Sequence, residues 1–263
     1  MFNRVVITFL ALAVGGLFSS EVLAQKPVYG GTLTIALSAD PPGLDPTTNP
    51  GATIKRVVHY NLLESLLKVD RNGKVVPALA KGYKVSKGGR EYTFTLQKGV
   101  LFHDGTPCTA ADVKFSFERI LDPKTAAPYR MFYEVIESVQ VLDPLTVKFT
   151  LKKIDSNFIF NLARGDAVIV PRQAIDQLKS LPIGTGPFKL AGWKRGESVT
   201  LVRNPYYYIK GIPYLDKVIF KFIPDASAQM AALRAGDVDV IAYDLSPENV
   251  VLLERDPVQG TQG

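Results

Sequence analysis

The sequence predicts a mixed α/β protein built from two subdomains. Three observations carry that reading. Short apolar or alternating runs bounded by Gly, Pro and Asp recur along the chain and read as strands. In the last third, strands alternate with helical patterns, as in a layered α/β unit. In the middle, alternating strands follow one another as hairpins. The 263 residues are 46% hydrophobic and 21% charged, ordinary for a globular chain and too apolar for a disordered one.

Met1 to Ala24 reads as an export signal. Arg4 supplies the positive start, Val5 to Val14 is apolar except for Thr8, and Val22-Leu23-Ala24 fits cleavage before Gln25. The apolar stretch is short for a membrane span of about 20 residues. No Cys follows the cut, so lipid attachment there is not expected. No later apolar run is long enough for a bilayer, and the product is expected to be exported and soluble.

Thr32 to Leu37 (TLTIAL) is the first strand, after the Gly30-Gly31 turn, and Ser38 to Gly43 breaks it. Apolar residues near a 3.6 spacing from Ala52 to Leu67 predict a helix. Lys81 to Arg90 is a Gly-rich, basic, solvated hairpin region. Tyr92 to Leu96 alternates, with Tyr92, Phe94 and Leu96 on one face. Thr109, with Asp112 three residues on, forms a capping box for a helix over Ala110 to Leu121 that buries Val113, Phe117 and Ile120. Asp122-Pro123 stops it. Val139 to Val141 and Thr146 to Leu151 pair around the Asp143-Pro144 turn. Phe188 to Leu190, Ser198 to Arg203 and Lys217 to Ile223 are strands. Asp225 caps a helix over Ala226 to Ala235 that Gly236 ends. Val238 to Ile241 is a short strand, and Ser246-Pro247 opens a further helix.

No nucleophile elbow, HExxH helix, phosphate-binding loop or paired CxxC is present, so no enzyme is predicted. His103-Asp104 reads as part of a local turn, His59 as a half-buried helix residue, and Cys108 as a small buried filler. Tyr206-Tyr207-Tyr208 reads as a turn packed by its own rings. Two His and one Cys leave little for a metal site, and no cofactor is expected. The net charge of +6 is spread among alternating charges, and with export it argues against a nucleic-acid partner.

The stretch YTFTLQKGVLFHDGTPCTAADVKFSFERIL, Tyr92 to Leu121, resembles the bacterial extracellular solute-binding proteins of family 5, the peptide and nickel class that serves ATP-driven importers. GGTLTIAL from Gly30, LDP from Leu44, VPALA from Val76, GTGPFKL from Gly184, RNPYY from Arg203, LDKVIFKFIPD from Leu215 and ALRAGDVDV from Ala232 follow in the family's order. Cys108 departs from the usual Phe-like residue.

The resemblance implies a periplasmic binding protein-like type II lobe, a mixed sheet with flanking helices, carrying an inserted α+β subdomain. The base would be residues 25–44 plus 166–263, the insertion 45–165, and the second lobe would lie beyond this sequence. It implies a periplasmic solute-binding component that captures peptides and delivers them to an ABC importer permease in the inner membrane. Relatives bind nickel complexes, opines, sugars or haem, so the solute class stays open. A second reading is a truncated fragment with no transport role. Residues implied at the ligand are Ser38, Ala39 and Asp40, after the first strand, and Tyr243 and Asp244, where the chain crosses between lobes.

Overall fold

The computed structural model describes residues 27–86 and 88–242. The expected leader, the helix after Ser246-Pro247 and the pair Tyr243 and Asp244 lie outside those residues.

The first sheet has five strands: β1 (Thr32–Leu37), β8 (Phe188–Lys194), β9 (Ser198–Arg203), β10 (Lys217–Phe222) and β11 (Val240–Ile241). Their order is β11-β1-β10-β9-β8. β1 runs parallel to both β10 and β11, while β9 is antiparallel to β10 and β8. Parallel neighbours need a crossover. Helix α4 (Ala226–Ala235), the last after α1 (Ala52–Val58), α2 (Ala110–Leu121) and the short α3 (Phe158–Asn161), crosses from β10 to β11, which flank β1 on either side. The Asp225 side chain accepts from the Ala228 N–H at 2.7 Å, and Gly236 at φ 77° closes the other end, as the sequence predicts.

The second sheet is antiparallel, β4 (Ala80–Val85), β5 (Glu91–Leu96), β7 (Thr146–Leu151) and β6 (Ile136–Asp143), in that order. The expected alternation holds. Tyr92, Phe94 and Leu96 of β5 and Val147, Phe149 and Leu151 of β7 are buried. Helix α2 (Ala110–Leu121) lies against them, and Phe117 meets Phe149 edge to face at 5.1 Å. The capping box is present: the Asp112 carboxylate accepts from the Thr109 N–H at 2.9 Å and its hydroxyl at 3.0 Å. A small hairpin, β2 (Leu67–Val69) and β3 (Val75–Pro77), joins the two parts.

The helical spacing over Ala52 to Leu67 is only half realised. Helix α1 (Ala52–Val58) stops at His59, which is extended, and Tyr60 takes a φ of 64°. The Asn61 side-chain amide donates to the carbonyls of Arg56 and Val57, satisfying groups that a continuing helix would have used. Leu62, Leu63 and Leu66 remain fully buried, so the apolar period records burial rather than helix.

Two apolar cores result. One fills the second sheet beneath α2. The other joins β1, β9 and β10 to Ile54, Val57, Val58, Leu62 and Leu63. Segment 64–66 passes between them, with the Glu64 carbonyl accepting from the Ile169 N–H at 2.9 Å.

Candidate functional site

In open α/β sheets the crevice lies outside the carboxyl ends of the parallel strands. Here β1, β10 and β11 end together. The Leu37 carbonyl accepts from the Ile223 N–H at 2.8 Å, and the Ala36 carbonyl accepts from the Ala242 N–H at 3.2 Å. Ser38, Ala39 and Asp40 follow at this edge. Ala39 is exposed, and its backbone N–H and C=O have no hydrogen-bond partner among the described residues.

Asp40 is engaged on both oxygens. Oδ1 accepts from Trp193 Nε1 at 2.8 Å, and Oδ2 accepts from the Gly196 N–H at 2.9 Å and lies 3.1 Å from Arg195 Nε. Arg195 also donates to the Pro41 carbonyl at 3.1 Å, and its guanidinium stacks 4.1 Å over the Trp193 ring. The loop after β1 is thereby tied to the β8–β9 turn.

On one face of the same sheet runs a groove of about 650 Å³. Leu33 and Ile35 of β1 and Val218 and Phe220 of β10 form its apolar floor, and Lys55 and Arg56 of α1 stand on its wall. Ala242 reaches into it, so the groove extends to the point where the described chain leaves the sheet.

The junction between the cores holds two polar centres that local sequence patterns did not reveal. Glu64 is buried and accepts hydroxyl hydrogen bonds from Thr185 at 2.8 Å, Tyr207 at 2.9 Å and Tyr208 at 3.2 Å. Burial pushes its carboxyl up to about 7, against the three hydroxyl donors and the charge of Lys68. The Tyr207 and Tyr208 rings do touch, at 4.8 Å, but their hydroxyls serve this carboxyl; Tyr206 points to solvent. His103 is not confined to its turn. Its Nδ1 accepts from the Gly184 N–H at 3.2 Å and its Nε2 donates to the Gly186 carbonyl at 3.1 Å, which sets the tautomer. Asp104 makes the local bonds, to the Thr106 N–H and hydroxyl. Burial lowers both His103 and His59 to about 4. Cys108 is a buried filler whose thiol burial pushes up well above its ordinary value. Among the described residues no group of three or more His, Cys, Asp and Glu is placed to hold a metal ion.

Glu64 makes a pH-dependent contribution to stability. Its folded pKa lies above its ordinary 4.5, so the folded state holds the proton more tightly than the unfolded one. Stability from this site is present below about pH 4.5 and lost as pH rises through about 7, a total of about 3 kcal/mol. The two histidines act in the opposite sense, costing stability as pH falls from 6.5 toward 4. Glu64→Gln is therefore expected to gain on the parent progressively from pH 5 to pH 8 in guanidinium melts. A constant difference across that range contradicts the proton uptake.

The sequence profile of "Bacterial extracellular solute-binding proteins, family 5 Middle" matches residues 74–261. The glutathione-binding protein GsiB of Salmonella choleraesuis (strain SC-B67) is 32% identical over 253 residues, 95% of this chain and 49% of that protein. Among solved structures, the binding protein AgaA of A. tumefaciens R10, in complex with agropinic acid, superposes with a TM-score of 0.82 at 39% identity, covering 86% of this chain and 46% of that one. The periplasmic binding protein DppA of Helicobacter pylori, in complex with the peptide STSA, gives 0.80 at 30% identity, covering 88% and 50%. The chain thus spans about half the length of the relatives it matches.

Proposed function

The chain belongs to the bacterial extracellular solute-binding proteins of family 5, and we propose that it is a solute-capturing component of an ATP-driven importer rather than an enzyme. Peptides are the proposed solute class, and a membrane permease the partner. Export with cleavage after Ala24 and action in the periplasm belong to the same reading. The observation that carries it is the shared carboxyl edge of β1, β10 and β11, where the peptide groups of Ala39 have no partner among the described residues. An extended peptide can join such an edge by backbone hydrogen bonds. Ser38, Ala39 and Asp40, with Tyr243 and Asp244 on the chain leaving β11, are the proposed ligand-side residues. For the subdomains we propose a base of 25–44 and 166–263 with 45–165 inserted; within that span, residues 54–63 pack on the base sheet.

A second reading has its own support. Leu33 and Ile35 are only half-buried in the open groove, and the chain spans about half of its relatives. A fragment with that apolar face would associate and bind no solute.

Isothermal titration of the purified chain with the peptide STSA, glutathione and agropinic acid separates the two. Saturable heat with STSA or glutathione from a monodisperse sample is expected. Heat with agropinic acid alone overturns the peptide class, and no heat with any of them, from an aggregating sample, favours the fragment.

A further inference from the structure

Asp40 sits in the loop proposed to face ligand, and an aspartate there invites a direct role in gripping an amino group. Its geometry argues otherwise. Both carboxylate oxygens are already engaged, by Trp193 on one side and by Gly196 and Arg195 on the other. The acid is mostly buried, with 18% of its side chain exposed. Turning it toward a ligand would strip three donors from it, one the part-buried indole N–H of Trp193.

We propose that Asp40 is a positioning residue: it clamps the loop after β1 to the β8–β9 turn, and so holds the Ala39 peptide groups open for a ligand. The inference rests on the reading of this edge as the ligand site. The β1 ladder ends at Leu37, paired with Phe222, and the clamp begins at Asp40. Only Ser38 and Ala39 lie between these two fixed points. A span of two residues held at both ends has little freedom to lose when a ligand pairs with it, and that pre-organisation is what raises affinity. Arg195 strengthens the hold by bonding the Pro41 carbonyl while lying on the Trp193 ring, so the loop is secured through side chain and backbone together. Gly196, at φ 71°, supplies the turn that presents its N–H to the carboxylate.

Trp193 is the chain's one tryptophan, so its fluorescence reports on the clamp directly. The experiment compares the full chain with D40N, W193F and the double variant. Without ligand, D40N is expected to red-shift Trp193 emission and to speed exchange of the Gly196 amide by about tenfold, the worth of one hydrogen bond to a charged group. With the peptide STSA as probe, D40N and W193F are each expected to weaken binding by about tenfold, and the double variant by little more than either, because both open the same clamp. Should D40N fail to fold, W193F alone decides, since it removes the indole donor without touching the loop's charge. Unchanged emission and Gly196 exchange in D40N overturn the clamp. Loss of STSA binding in D40N with full affinity in W193F overturns positioning and makes Asp40 a direct contact. Clamp signals as expected, with no STSA binding by the parent, overturn the ligand site and the proposal with it, leaving the clamp a purely structural feature.

Discussion

Gly184→Ala and Gly186→Ala are each expected to cost at least about 3 kcal/mol, enough to leave much of the chain unfolded or insoluble. A Cβ at Gly184 would stand 2.0 Å from the Leu62 carbonyl oxygen and 2.7 Å from a Leu63 methyl. At Gly186 it would stand 2.3 Å from the Asn61 carbonyl oxygen. At both positions the shortest collision is with a backbone carbonyl oxygen, which no rotamer change relieves. The backbone is held there from both sides. Gly186 N–H donates to the Leu62 carbonyl and Phe188 N–H to the Asn61 carbonyl, each at 3.0 Å, while His103 grips Gly184 and Gly186 from the other flank. The control is Gly192→Ala in β8, where a Cβ meets nothing within 4 Å. That change is expected to be within about 1 kcal/mol of neutral. Thermal melts of the three variants check the contrast, and a Gly186→Ala protein as stable as Gly192→Ala contradicts the close packing.

The same loop shows what a linear sequence makes legible. Elements whose causes are local were readable from it. α2 has its capping box and its Asp-Pro stop within fifteen residues, β5 its alternation within five, and α4 its Asp and Gly ends. α1 is shorter than its spacing predicts because a buried apolar period of 3.6 looks the same whether or not the helix continues. What ended it was the Asn61 amide turning back onto two carbonyls. The polar centres were hidden for a different reason. Glu64 meets Thr185 across 121 positions, and Asp40 meets Trp193 across 153. No periodicity or spacing rule reaches so far. The resemblance to a family implies Ser38, Ala39 and Asp40 at the ligand, and the fold brings the ends of three parallel strands to that edge. Long-range hydrogen bonds distinguish the engaged side chain of Asp40 from the backbone of Ala39, which has no partner among the described residues.

Asp166 is the remaining site where one substitution should have a large effect. Its carboxylate is 2% exposed and lies 3.2 Å from both Lys55 Nζ and Arg164 Nη2, while Tyr133, fully buried, donates its hydroxyl to Oδ2 at 2.7 Å. Lys55 and Arg164 also stack on Tyr129, at 4.2 and 4.9 Å from the ring centre. Asp166→Ala leaves two largely buried cations facing each other with no counter-charge, and Tyr133 without its best acceptor. Breaking a buried pair by removing one partner costs about 3 to 5 kcal/mol. The cations retain about a quarter of their side-chain exposure, so water recovers part of this and the lower figure is expected. At about 2 to 4 °C per kcal/mol for a chain of this size, the melting point should fall by roughly 6 to 12 °C. Tyr133→Phe removes only the hydroxyl, leaves the ion pairs intact, and should cost about 1 kcal/mol. Adding Lys55→Met to Asp166→Ala should recover part of the loss, because one uncompensated charge is gone. A double variant no more stable than Asp166→Ala would show that the carboxylate's value lies in its hydrogen bond to Tyr133 and not in its charge.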